Sequence, residues 1–201
     1  MIITTANTAS RGTVEGPVAV AIAVTMNERR EVVQLQPMQS LTFGERNGAM
    51  SERVRAIAET FKSGDFNASV SATIIQDMWE KWVFLASLAA STSLMRASLG
   101  NILAAPGGKD FVLGIFDECK AVAAAEGYPS RGPFLERTFA MLTAQGSPLT
   151  ASMFRDIKAG LPVEADHVIG DLIGRGDAAK VPVPRLRMAY THLKAYERER
   201  S

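Results

Sequence analysis

Neither Gly-x-Gly-x-x-Gly nor a Walker-type sequence occurs in the 201 residues, so the usual strand-turn-helix cradle for a dinucleotide pyrophosphate cannot be placed in them. Cysteine is nearly absent as well. The one thiol, Cys119, can close no internal disulfide, and the expected compartment is a reducing cytoplasm. Charge of one sign is not in excess: 22 Lys plus Arg stand against 21 Asp plus Glu, a net charge of +1. That balance excludes the electrostatic footprint of a nucleic-acid or anionic-lipid partner. Long apolar runs are missing too. Val18 to Met26 is too short to span a bilayer, follows Glu15 and Pro17, and lacks the basic start of a signal peptide. Trp82 to Met95 is uncharged but holds Ser87, Ser91, Thr92 and Ser93 and ends at Arg96, the pattern of a buried core helix; no membrane segment is expected.

What is present is an ordinary globular composition, 47% hydrophobic and 21% charged. Residues 1 to 15 carry no period and read as a loose lead-in. From Val18 the larger side chains fall at Val18, Val20, Ile22 and Val24 with alanines between them, a strand apolar on both faces. Val32 to Leu35 and Leu41 to Phe43 repeat the pattern and predict an antiparallel meander. Ser51-Glu52 opens a helix with Val54, Ile57, Ala58 and Phe61 at helical spacing until Gly64, and a short strand is expected at Ala68 to Val70. After Ser71 every segment reads as helix, at about 73–99, 110–126, 133–144, 151–159, 163–179 and 184–197, separated by Gly- and Pro-bearing punctuation.

Lys81 sits in Met78-Trp79-Glu80-Lys81-Trp82-Val83-Phe84-Leu85, where two indoles and several aliphatic side chains surround one ammonium group. Burial there lowers a lysine's pKa, which makes it a usable proton donor near neutral pH. The alternative is an exposed lysine paired with Asp77 one turn earlier. Ser152 and Glu164 stand at the mouths of successive helices, where a hydroxyl and a carboxylate can converge on a polar ligand. Alternatively, Ser152 only starts or caps a helix, and Glu164, just after Pro162, only complements the macrodipole. Glu164 and His167 have the Glu-x-x-His spacing of carboxylate metal sites, but His192 has no Glu three residues before it, so no metal site is expected. Cys119 reads as a half-buried structural thiol, and Gly170-x-x-x-Gly174-x-Gly176 falls inside a helical pattern and is no phosphate cradle.

Four pieces in order resemble the ketopantoate reductases (2-dehydropantoate 2-reductases), over about Gly16 to Tyr196. They are Leu41-Thr42-Phe43-Gly44-Glu45; Trp79-Glu80-Lys81-Trp82; Ser152-Met153-x-x-Asp156-x-x-Ala159-Gly160-x-x-x-Glu164 followed by Gly170; and Val181-Pro182-Val183-Pro184. The resemblance implies an α+β, mostly α fold. Residues 1–71 would be the residual edge of a Rossmann-type α/β domain, and residues 72–201 an all-helical C-terminal domain for substrate and catalysis. It implies NADPH as cofactor and a small 2-oxo acid as substrate, ketopantoate being reduced to pantoate. Lys81 would match the general acid, Ser152 a substrate-binding hydroxyl, and Glu164 the carboxylate that holds the substrate's hydroxyl end. The family often has Asn one and two turns after the lysine, where this chain has Leu85 and Ala89, and Asn three residues before the serine, where it has Leu149. Ketopantoate and a related 2-oxo compound therefore both stand as substrates. The strands and glycine loop that open the family fold are not found, so the expectation is a reductase-like oxidoreductase chain without its cofactor-binding segment and inactive alone. The alternative is a non-catalytic helical module that acts in self-association. On either reading the doubly apolar strand predicts a homo-oligomer.

Overall fold

The computed structural model describes residues 18–20, 24–26, 32–34, 40–64 and 67–200. The chain divides into two compact units, Met1–Met78 and Trp79–Ser201, and each is described by itself.

In the first unit the apolar run starting at Val18 forms two short strands, β1 (Val18–Val20) and β2 (Val24–Met26), and these enter different sheets. β2 pairs antiparallel with β3 (Val32–Gln34), as the meander pattern predicts. β4 (Ser40–Gly44) does not continue that meander. It lies between β1, to which it is antiparallel with Ala19 opposite Phe43, and β5 (Asn67–Val70), to which it is parallel with Phe43 opposite Val70. The reason is the helix between them: α1 (Glu52–Phe61) supplies the crossover that parallel strands need. Ser51 caps α1, its Oγ accepting from Val54 N–H at 3.2 Å. Phe43 and Val54 are buried, and the Phe43 ring meets Phe61 edge-on at 5.6 Å. Gly44 is required by a close approach. Ser71 donates its backbone N–H to Phe43 O at 2.8 Å, and a Cβ at Gly44 would lie 2.1 Å from Ser71 O.

The second unit is all helix. α2 (Ile74–Met95) begins in the first unit and provides the second unit's core; Val83, Ala86, Leu88, Ala89 and Ala90 are buried. Its buried hydroxyls turn back on the helix: Ser87 donates to Val83 O, Ser91 to Ser87 O and Thr92 to Leu88 O, at 2.6 to 2.8 Å. A stretch this polar in composition is therefore buried without orphaned hydroxyls at those three positions. The expected single helix over 73–99 breaks at Arg96, whose φ of 50° is left-handed, and α3 (Leu99–Ala104) starts after Ser98. α4 (Gly108–Ala125), α5 (Gly132–Leu142), α6 (Ser152–Lys158), α7 (Asp171–Ala178) and α8 (Pro184–Glu199) follow at the expected places. The exception is the head of the segment expected over 163–179, where Asp166–Gly170 is π-helical before α7 begins.

Two buried carboxylates lock the helices together. Glu80 on α2 accepts from the Arg131 backbone N–H at 2.9 Å and from its guanidinium at 2.8 and 2.6 Å, which fixes the start of α5. Glu118 on α4 accepts from the backbone N–H groups of Arg185 and Leu186 at 3.1 and 2.9 Å, capping α8 across the unit.

Candidate active site

Lys81 lies on α2 just inside the second unit, half-buried, with its amine held below the ordinary lysine pKa by burial. The pairing with Asp77 is not formed: Lys81 has no ion-pair or hydrogen-bond partner among the described residues, and the Asp77 carboxylate accepts the Ser71 hydroxyl. Nor do the indoles enclose the ammonium group. Trp79 and Trp82 contact each other at 5.0 Å between centroids, and Trp79 stacks on Tyr128 at 5.5 Å. The cation over both is Arg175, 5.3 Å from Trp79 and 5.7 Å from Trp82. Helical spacing explains the difference. Residues 79 and 82 share a face, and residue 81 is turned about 100° from the nearer of them. Along the face of Lys81 the next turn carries Phe84 and Leu85, both half-buried.

Ser152 is the first residue of α6 and is exposed, and its hydroxyl makes no cap and has no partner among the described residues. Its neighbour Ala151 donates its backbone N–H to Thr92 Oγ1 at 3.2 Å. Thr92 lies three turns beyond Lys81 on the same face of α2, about 16 Å along the axis. The serine is thus attached to the helix and the face that carry the lysine, at the far end. Glu164 is exposed and immediately precedes the helical residues that lead into the π segment. One turn on, Val168 donates its N–H to Glu164 O at 3.1 Å, and Val168 O accepts the indole N–H of Trp82 at 2.9 Å. The segment bearing Glu164 is therefore anchored at the turn of α2 that holds Lys81.

Sequence reasoning missed the groups that hold this segment. Asp166 accepts from Tyr190 Oη at 2.6 Å and from Lys194 Nζ at 3.1 Å, and these contacts, the tyrosine's first, keep its carboxyl below the usual range. Arg175, over the indoles, pairs with Glu126 at 2.5 Å. All of these partners are distant in sequence, so no local spacing announces them. Cys119 is fully rather than half-buried, and burial pushes its thiol up to about 12. A thiol so protonated is a core residue, not a nucleophile. His167 is exposed beside Glu164, and no group of three His, Cys, Asp or Glu side chains gathers as a metal set among the described residues.

The two described strand-to-helix passages do not fit a dinucleotide pyrophosphate. At the head of α1 the Ser51 hydroxyl donates to Glu45 Oε1 at 2.6 Å, and Arg53 pairs with the same carboxylate at 3.1 and 2.7 Å. Those contacts, Arg53 foremost, hold the Glu45 carboxyl below its usual range. At the head of α2 Ser71 accepts from Thr73 N–H and donates to Asp77. Each helix start already faces an acidic side chain, so a phosphate there would meet a like charge. Among the described residues no helix is long and apolar enough to cross a membrane.

Residues 73–197 match the family described as ketopantoate reductase PanE/ApbA C terminal. The chain is 31% identical over 175 residues to the uncharacterized oxidoreductase YkpB of Bacillus subtilis, spanning 87% of this chain and 58% of that protein. It is 27% identical over 146 residues to the 2-dehydropantoate 2-reductase of Halobacterium salinarum, spanning 73% and 48%. The fold superposes on the crystal structure of 2-dehydropantoate 2-reductase from Methylococcus capsulatus with a TM-score of 0.79 at 29% identity, covering 93% of this chain and 64% of that one. This chain belongs to the ketopantoate reductase family of oxidoreductases, as its four resembling pieces imply, and its helical portion is that family's C-terminal domain. It spans about half to two-thirds of the length of these relatives.

Proposed function

We propose that this chain binds a small 2-oxo acid, ketopantoate or a close relative, and donates the proton in its NADPH-dependent reduction to the 2-hydroxy acid. The observation that carries this reading is Lys81: a half-buried amine, lowered in pKa and without a partner among the described residues, at the helical turn where the Glu164 segment is anchored. In reductions of this class a nicotinamide supplies the hydride. As the carbonyl carbon is reduced, its oxygen gains negative charge. The protonated Lys81 Nζ stabilises that charge, then delivers its proton to the oxygen and is left as the neutral amine, which solvent reprotonates. Lowered basicity brings the amine closer to the alkoxide's needs at neutral pH than an ordinary lysine. Ser152, whose hydroxyl has no partner among the described residues, is a proposed substrate-binding hydroxyl, and Glu164 the acceptor for a hydroxyl on the substrate.

Calorimetric titration of the chain with ketopantoate and with unhydroxylated 2-oxo acids tests the reading. The wild type should bind, and Lys81→Met should bind at least about tenfold more weakly, the loss of a charge-assisted hydrogen bond. Failure of every 2-oxo acid to bind the wild type would end the proposal.

A further inference from the structure

The indole of Trp82 has two engagements, one through its ring and one through its N–H. Its ring packs under the Arg175 guanidinium, which pairs with Glu126, and its N–H reaches the carbonyl of Val168. That carbonyl belongs to the π segment Asp166–Gly170, where the wider helical turn departs from regular α spacing. Glu164 is one turn before it, joined by the Val168 N–H. From α8, Tyr190 and Lys194 grip the same segment at Asp166. Trp82 is also the residue directly after Lys81, so a single helical turn of α2 carries both the amine and the grip on the glutamate's segment.

We infer that Trp82 is a positioning residue: its hydrogen bond to Val168 sets the Glu164 carboxylate against the substrate bound at Lys81. This rests on the 2-oxo acid reading above. A site that must hold two polar ends of one small molecule loses affinity when either partner drifts by a fraction of an ångström, so a bond that engages only the backbone of the glutamate's segment acts through the geometry of Glu164. Phenylalanine at position 82 deletes the N–H and shortens the ring system, but leaves an aromatic ring for Arg175 to lie over.

The experiment is a double-mutant cycle on ketopantoate affinity, read by calorimetry on Trp82→Phe, Glu164→Gln and the pair. Each single variant should bind about tenfold more weakly, and the pair no more weakly than Glu164→Gln alone, because Trp82 acts through the glutamate. Losses that multiply, or a Trp82→Phe variant that binds like the wild type, would overturn the inference and leave the proposed function standing. A wild type that binds no 2-oxo acid would remove both. Should Trp82→Phe fold poorly, proton NMR of the wild type gives an independent answer from the chain's two tryptophans. Of the two indole N–H signals, that of Trp82 should be protected from exchange and should shift on ketopantoate binding more than that of Trp79. Equal response, or none, overturns the inference.

Discussion

Lys81 is a liability to the fold that the proposed function would turn to use. Burial disfavours its charged form, so the folded chain binds that proton less tightly than the unfolded chain does. With the folded pKa below the unfolded value, the unfolded state holds more protons between the two, and stability rises with pH through that window, up to the ordinary lysine value of 10.5. Below the folded pKa the cost is fully present. Lys81→Met should therefore melt higher than the wild type at neutral pH, with the gap closing as pH approaches 10.5. A melting point that falls at neutral pH, or a gap independent of pH, would mean that the amine is solvated in the folded chain.

At the scale of elements, the second unit depends on carboxylates that finish helices other than their own. Glu118 lies 7% exposed on α4 and accepts from the first N–H groups of α8, where no side chain of α8 itself makes a cap. Arg185 adds its guanidinium at 3.3 Å and lies across Gly114, where a Cβ would come within 2.5 Å of it. Removing the acid orphans those N–H groups in a buried setting. Glu118→Ala should cost about 2–3 kcal/mol in urea unfolding, whereas Glu59→Ala on exposed α1 should cost under about 1 kcal/mol. Equal losses would show that the cap contributes nothing beyond a surface ion pair.

At the scale of the whole molecule, apolar surface is left uncovered. Met95, Phe139, Met141, Leu161 and Met188 are each more than two-fifths exposed, and Met141 lines an open groove of about 440 Å³ with Pro148, Leu149 and Arg155. Among the described residues β1 and β5 are the edges of the three-stranded sheet, with backbone groups facing outward. Self-association is the expected outcome. Light scattering at micromolar concentration should give a mass above 21.6 kDa, and a monodisperse monomer would show that these surfaces are tolerated singly.

The sequence by itself determined most of the elements, because their signals are local, though not the break at Arg96 or the π segment. Ser51 with Glu52 announces a helix start, Val181-Pro182-Val183-Pro184 ends one and opens the next, and the alternation at Leu41 to Phe43 makes a strand. It also determined the family, since motif order survives without knowledge of contacts. Tertiary structure alone decided the rest. Which strands flank β4 depends on a crossover that no alternation encodes, and the cation over the indoles is Arg175 because helical phase turns Lys81 away from them. The grip of Trp82 on Val168 and of Tyr190 on Asp166 joins residues far apart along the chain, and only folding gives such pairs a distance.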